Sequence, residues 1–382
     1  MQPVFKDTTA AMESTPALSS IDDVISLIRP SVRKEHAYVV GAPNHTEVKL
    51  NQNESPFDLP LSLKEELAEA FTKIDANRYP SEQPHELVEA LAEFDSVDPE
   101  GIIVGNGSNE LTYTFGMAFL DPGSPVVMPR PMFSLYEKVA RICNADLTPV
   151  PPREDLTFDA EAIAKAAADT EAVMTVVTTP NNPTGLAMTM DEIEHVVRAA
   201  PGIVVVDEAY VEFNPQGSAT GLLEEYPNIV ILRTLSKGMG LAGVRLGYMI
   251  ARPELAHEVM KSRLPFMVDR FSEKIALALL CRPELLEERV AALQASTQDL
   301  VKTLGEMPGV EVTPTDANFC IFRTERDADA LQADLMDNGV LVRNMSGYPE
   351  LPGYLRVSAG MKTENKAFVT ALERALHVTD AA

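Results

Sequence analysis

Short unbroken apolar runs alternate along this chain with longer stretches of helical period. Ile203-Val204-Val205-Val206 and Val173-Met174-Thr175-Val176-Val177 show no polar–apolar alternation, so they read as strands with both faces away from water. Such strands belong in a parallel sheet covered by helices on both sides. Further strands are expected near 102–104, 126–128, 229–233 and 244–250. Helices are expected near 63–73, 84–94, 110–120, 133–144, 159–168, 191–199 and 253–261. From about residue 290 the pattern changes. A long helix (283–306) gives way to scattered strands near 309–312, 318–322, 340–343 and 354–358, then a helix at 364–377. The chain therefore reads as α/β: an N-terminal extension and arm (1–48), a large domain with a mostly parallel sheet (49–289) and a smaller α+β domain (290–382). Its 382 residues, 45% hydrophobic, suffice for two cores.

Open parallel sheets collect functional groups at strand C-termini. Downstream of the 229–233 run, Lys237 lies on a glycine-rich turn, with Ser236 beside it and Arg245 eight residues on. Burial disfavours an ammonium, so a lysine held there can lose its proton and attack a carbonyl. Arginine and serine suit a phosphate. A Schiff-base lysine with a phosphate clamp points to pyridoxal 5'-phosphate (PLP). An isolated Ser-Lys pair also suits a flexible surface loop, so the weight falls on three upstream segments. Asp207 ends the 203–206 run, where a carboxylate either pairs with a protonated pyridine nitrogen or caps the next helix. Tyr210 follows, a donor for a ring phenolate oxygen. The 173–177 run leads into Thr178-Thr179-Pro180-Asn181-Asn182-Pro183-Thr184-Gly185. This is a turn by composition, and Asn182 is a neutral donor within it. The 102–104 run leads through Gly105-Asn106-Gly107 to Ser108, Asn109 and a helix starting near Glu110. Free N–H groups and the positive end of the helix dipole make that junction an anion site.

In this order the segments resemble the fold-type-I PLP-dependent aminotransferases, and within them the histidinol-phosphate aminotransferase branch. The resemblance runs from about Lys49 to the C-terminal helix. Besides the segments above, it is carried by Leu50-Asn51-Gln52-Asn53-Glu54-Ser55-Pro56, Asn77-Arg78-Tyr79-Pro80 and Leu355-Arg356-Val357-Ser358. One residue departs: Asn109 stands where the family usually has Asp, a change that keeps the backbone amide. The resemblance implies that Lys237 carries PLP and moves the proton, and that Asp207 partners the pyridinium. It implies that Tyr210 and Asn182 hold the phenolate oxygen, and that Ser108, Asn109, Ser236 and Arg245 bind the cofactor phosphate. Phe133 would stack on the pyridine ring. Tyr79 would reach the phosphate of a neighbouring subunit in a homodimer.

The resemblance also implies substrate residues: Arg356 for the α-carboxylate, Arg343 as a second arginine, Tyr38 on the N-terminal arm, and Asn182. Two cationic sites suit a substrate with an anion at its far end. The expected reaction is histidinol phosphate plus 2-oxoglutarate to imidazole acetol phosphate plus glutamate, in histidine biosynthesis. Aromatic-amino-acid aminotransferases and a PLP-dependent phosphothreonine decarboxylase share much of the pattern.

Composition fits a cytoplasmic enzyme. Three cysteines, Cys143, Cys281 and Cys320, are too few and oddly numbered for a disulfide scaffold. Six histidines show no paired ligand spacing, so no metal is expected. No apolar run approaches the ~20 residues of a membrane span. Residues 1–20 lack a signal-peptide pattern and read as a loose extension. A net charge of −25 repels nucleic acid and anionic membrane. The acids are spread along helices as a solvated face, and a salt-rich cytoplasm would screen their repulsion.

Overall fold

A computed structural model describes residues 20–37 and 47–377. The chain separates into two compact units, Met1–Val39 and Val40–Ala382. In the first, α1 (Ile21–Ser26) begins at a capping box: Ser20 Oγ accepts from the Asp23 amide while the Asp23 carboxylate accepts from the Ser20 amide. The short α2 (Pro30–Arg33) starts on proline, whose missing N–H no helix start needs.

The second unit opens with β1 (Val48–Lys49), α3 (Leu61–Phe71) and α4 (His85–Asp95). Then strand and helix alternate: β2 (Ile102–Gly105), α5 (Ser108–Phe119), β3 (Pro125–Pro129), α6 (Leu135–Cys143), β4 (Asp146–Val150), α7 (Ala160–Asp169), β5 (Met174–Thr178), α8 (Met190–Ala199) and β6 (Ile203–Asp207). β7 (Ile229–Thr234), β8 (Gly247–Ile250), α9 (Pro253–Met260) and α10 (Arg270–Leu280) follow. The seven-stranded sheet has the order β2-β8-β7-β6-β5-β3-β4. Only β8 runs against its neighbours. Every residue of β5, β6 and β7 is buried, as their unbroken apolar runs require. Helices are seated by local caps. Thr189 makes a capping box with Glu192 at α8, and Asp159 caps α7.

After the 23-residue α11 (Pro283–Gly305) come β9 (Val310–Val312), β10 (Phe319–Thr324), α12 (Ala328–Asp337), β11 (Val340–Leu341), β12 (Arg343–Asn344), β13 (Tyr354–Ser358) and α13 (Lys362–His377). β12, β13, β10 and β9 form an antiparallel sheet in that order, while β11 pairs in parallel with β1. Alternation along these strands sorts their side chains. Cys320, Phe322, Leu355 and Val357 are buried with Leu293, Leu300, Leu335 and Phe368 of the helices in a second core. Ile321, Arg356 and Arg343, in register with one another, take the opposite face.

The strand expected at 244–250 begins only at Gly247. Ala242–Val244 is a 3-10 turn, and Arg245 is left-handed at φ 60°. α5 begins at Ser108, two residues before the expected start near Glu110, with Gly107 at its N-cap. α10, α12 and β4 had no counterpart among the expected elements. No helix among the described residues is long and apolar enough to cross a membrane.

Candidate active site

The C-terminal ends of β2, β3, β5, β6 and β7 gather one site. Lys237 follows β7, partly buried, and its Nζ donates to the Gln52 carbonyl oxygen at 2.8 Å. Burial pushes the amine down to about 7, helped by the positive charges of Arg356, Arg245 and Lys49 and opposed by Glu54. Such a lysine is largely neutral near physiological pH and so nucleophilic. Its Nζ lies 5.9 Å from the centre of the Tyr210 ring.

Asp207 closes β6 and is buried. The Tyr136 hydroxyl donates to its Oδ2 at 2.7 Å and the Ala209 amide to its Oδ1 at 3.0 Å. Burial raises this carboxyl to about 6 against those two hydrogen bonds, with Glu208 adding a like charge. Below this layer buried Arg233 pairs with both Asp95 and Glu208. That triad ties α4 to the ends of β6 and β7. Tyr210 is buried, and burial pushes its phenol up to about 12. Its hydroxyl accepts from Asn53 Nδ2 at 2.9 Å.

Two glycines shape the turn between β2 and α5, Gly107 within it and Gly247 at the start of the adjacent β8. Gly107 has φ 75°, and a Cβ there would stand 2.6 Å from Arg245 Nη2. A Cβ on Gly247 would stand 2.3 Å from the Ser108 amide nitrogen. The Arg245 guanidinium, the start of α5 and β8 are therefore packed against one another. Arg245 Nη1 donates to the Ala242 carbonyl oxygen at 2.9 Å, which holds the left-handed turn. Ser236 is buried, and its amide donates to Thr234 Oγ1 at 3.1 Å. Phe133 is partly buried on the turn between β3 and α6.

Arg356 is buried on β13 and reaches across from the small sheet. It donates to Asn182 Oδ1 through Nη1 and to the Asn51 carbonyl oxygen through Nη2, the latter at 2.8 Å. Its Cζ lies 5.3 Å from the centre of the Phe319 ring. Arg343 is its cross-strand partner and is partly buried. Lys237, Asp207, Tyr210, Asn182, Ser236 and Arg356 thus stand on one rim, with Ser108, Arg245 and Phe133 on adjoining turns.

Other expected residues lie elsewhere. Asn109 is exposed at the start of α5. Tyr79 is 78% exposed and stacks on Phe266, with ring centres 5.0 Å apart, rather than touching the residues above. Tyr38, with residues 1–19, lies outside the described residues. Sequence reasoning assigned no role to Asn53, Tyr136 or Gln52. Asn53 is left-handed at φ 54° and buried. Its amide donates to Ser358 Oγ at 2.8 Å, so it ties Tyr210 to the small sheet. A short polar residue just before Glu54-Ser55-Pro56 was the available signal. Tyr136 had none, because its contact with Asp207 spans 71 residues.

Residues 45–372 match the family model for aminotransferase class I and II. The histidinol-phosphate aminotransferase of Prosthecochloris aestuarii is 42% identical over 352 residues, covering 92% of this chain and 98% of that protein. The crystal structure of histidinol-phosphate aminotransferase from Sinorhizobium meliloti, in complex with pyridoxal-5'-phosphate, superposes with a TM-score of 0.83. That pair is 25% identical, covering 93% of this chain and 98% of the other. L-threonine-O-3-phosphate decarboxylase from Porphyromonas gingivalis superposes with a TM-score of 0.76 at 25% identity, covering 86% and 99%. By its family match, and by identity along nearly its whole length, the chain belongs to the class I and II aminotransferases, and within them to the histidinol-phosphate aminotransferases.

Proposed function

We propose that the chain transfers the amino group of histidinol phosphate to 2-oxoglutarate, giving imidazole acetol phosphate and glutamate, with PLP held at Lys237. The residues present fit that cofactor. A guanidinium, two serines and the start of a helix suit a phosphate dianion, and glycine at 107 and 247 lets the Arg245 guanidinium and the Ser108 amide come together there. A buried carboxylate suits a protonated ring nitrogen, and a lysine amine poised near neutrality suits a carbonyl.

When bound, PLP supplies an electron sink for a substrate carbanion. Asp207 holds a proton at the ring nitrogen, and Tyr136 and the Ala209 amide keep its carboxylate aimed. Tyr210 and Asn182 hold the phenolate oxygen. Ser108, the Asn109 amide, Ser236 and Arg245 would hold the phosphate, and Phe133 would lie against the ring. Lys237 would be the general acid–base that moves the proton at the substrate α-carbon. Arg356 takes the α-carboxylate of glutamate bidentately. Arg343 serves the substrate's other anion.

The observation that carries this reading is Arg343 directly opposite Arg356. Like charges so placed repel, and an anionic substrate relieves them. The test is direct: mix the enzyme with histidinol phosphate and 2-oxoglutarate and measure glutamate. Glutamate formed faster than with phenylalanine as donor supports the assignment. A preference for phenylalanine would make it an aromatic aminotransferase. Release of CO2 from phosphothreonine without glutamate would make it a decarboxylase.

The same reading divides the chain into an arm (1–48), a cofactor domain (49–289) and a small domain (290–382). Leu286 in the larger core, against Leu293 and Leu300 in the smaller, supports a boundary within α11. It also makes the enzyme a cytoplasmic homodimer. Exposed Tyr79, with Phe266 against it and exposed Leu264 nearby, suits an interface that places Tyr79 at the partner's phosphate. Light scattering should give the mass of a dimer, and a fully active monomer would contradict the shared site.

A further inference from the structure

The loop between β12 and β13 has no part in the chemistry assigned so far. It returns Tyr348 to the arginine face of the small sheet. The Tyr348 amide donates to the Met345 carbonyl oxygen at 2.9 Å, and its own carbonyl accepts from the Leu351 amide at 3.0 Å. Two tight turns thus fix the backbone on either side of the residue. The ring packs against the small apolar cluster of Ile321, Met345, Leu351 and Tyr354. Ile321 is the register partner of Arg356, so the ring stands beside the arginine pair and away from the core behind the sheet. Arg356 and Arg343 lie close enough to act on the phenol, Ser134 lies beside it, and Glu137 faces it from α6. Ser134 follows Phe133 in the chain, and Tyr210 is near enough to feel the same phenol. Burial raises the Tyr348 phenol and the two guanidiniums oppose that rise. The hydroxyl therefore keeps its proton at neutral pH and remains a donor.

Among the described residues no carboxylate forms an ion pair with Arg343. Histidinol phosphate brings no α-carboxylate to Arg356, so its phosphate can draw on Arg343 and on the neighbouring Arg356 guanidinium, which also donates to Asn182 and Asn51. One bidentate guanidinium saturates a carboxylate, whereas a phosphate monoester has a third terminal oxygen to offer. We propose that Tyr348 is a specificity-determining residue, whose hydroxyl leaves Ser134 and donates to a phosphate monoester gathered at the Arg343–Arg356 pair. The inference rests on the function proposed above and identifies how that site tells a phosphate from a carboxylate.

The experiment compares wild type, Tyr348→Phe and Ser134→Ala as holoenzymes, with histidinol phosphate and glutamate as separate amino donors and inorganic phosphate as a competing ion. Removing one hydrogen bond to a charged acceptor should raise KM for histidinol phosphate about tenfold or more in Tyr348→Phe. Its KM for glutamate should change by less than about twofold, and kcat should hold for both. Inhibition by inorganic phosphate should weaken in parallel. Ser134→Ala should leave KM for histidinol phosphate near wild type. Equal losses with both donors, or unchanged KM for histidinol phosphate, would overturn the role of Tyr348. So would Ser134→Ala reproducing the Tyr348→Phe effect, since the tyrosine would then be a structural latch. A wild type that fails on histidinol phosphate would overturn the proposed function itself, and this inference with it.

Discussion

Asp207→Asn separates the two things a carboxylate can do at the end of β6. The substitution is nearly isosteric, and both contacts survive it. Asn Oδ1 can still accept from the Ala209 amide, and Asn Nδ2 can donate to the Tyr136 hydroxyl, which is then an acceptor. The fold should stay within about 1 kcal/mol of wild type, because no buried polar group is orphaned. What disappears is the negative charge. The site is buried, so a cation opposite loses its partner where water cannot replace it. Breaking such a buried pair from one side costs about 3–5 kcal/mol, a loss of about two hundred- to several thousandfold in rate. Both half-reactions need the same electron sink, so both should fall by similar factors. The assay is single-turnover kinetics with each amino donor, followed by visible absorbance, after bound PLP has been quantified. The wild-type carboxyl sits at about 6 before the cofactor arrives, raised by burial. PLP affinity should therefore weaken as pH falls through about 6, and the Asn variant should lose that limb. A variant with near-native kcat would refute the argument and leave Asp207 as a strand-end cap.

Three further outcomes follow from the same geometry. Borohydride reduction of the holoenzyme and peptide mapping should place the pyridoxyl label on Lys237, and a label on any other lysine sinks the assignment. The Lys237 amine, lowered to about 7 from an unfolded value near 10.5, binds fewer protons folded than unfolded between those limits. Cofactor-free wild type should thus gain stability relative to Lys237→Met as pH rises from about 7 to about 10, read from urea midpoints; a constant difference would contradict the burial of the amine. Gly247→Ala should cost on the order of 1–3 kcal/mol and weaken PLP binding, because its methyl would meet the Ser108 amide nitrogen at 2.3 Å; unchanged thermal unfolding and affinity would show that the turn has slack.

The large sheet was readable because its strands are buried on both faces, and Val204-Val205-Val206 has no other comfortable home. α12 was missed because Ala328–Asp337 interleaves three acids with its apolar residues and blurs the helical period. β4 was missed because Asp146–Val150 mixes exposed and buried positions at the sheet edge. At the candidate site, the placement of Asp207 at the end of β6 and of Lys237 on the turn after β7 was legible from local context. Contacts supplied from far along the chain were not. Asn53 reaches Tyr210 across 157 residues and Ser358 across 305, and no local pattern encodes such a meeting.

Two consecutive carbonyls, those of Asn51 and Gln52, accept from the Arg356 guanidinium and the Lys237 amine of the candidate site. Any amino acid supplies a carbonyl, so the identity of the side chains at these two positions says little about the importance of the peptide. The requirement falls on spacing. Inserting or deleting one residue between β1 and Asn53 would misplace both acceptors together, while most side-chain changes at Gln52 would leave its acceptor where it is. Variation among relatives should accordingly show freedom of composition and rigidity of length here. A scan of point substitutions would undervalue a segment that a shift in register would destroy.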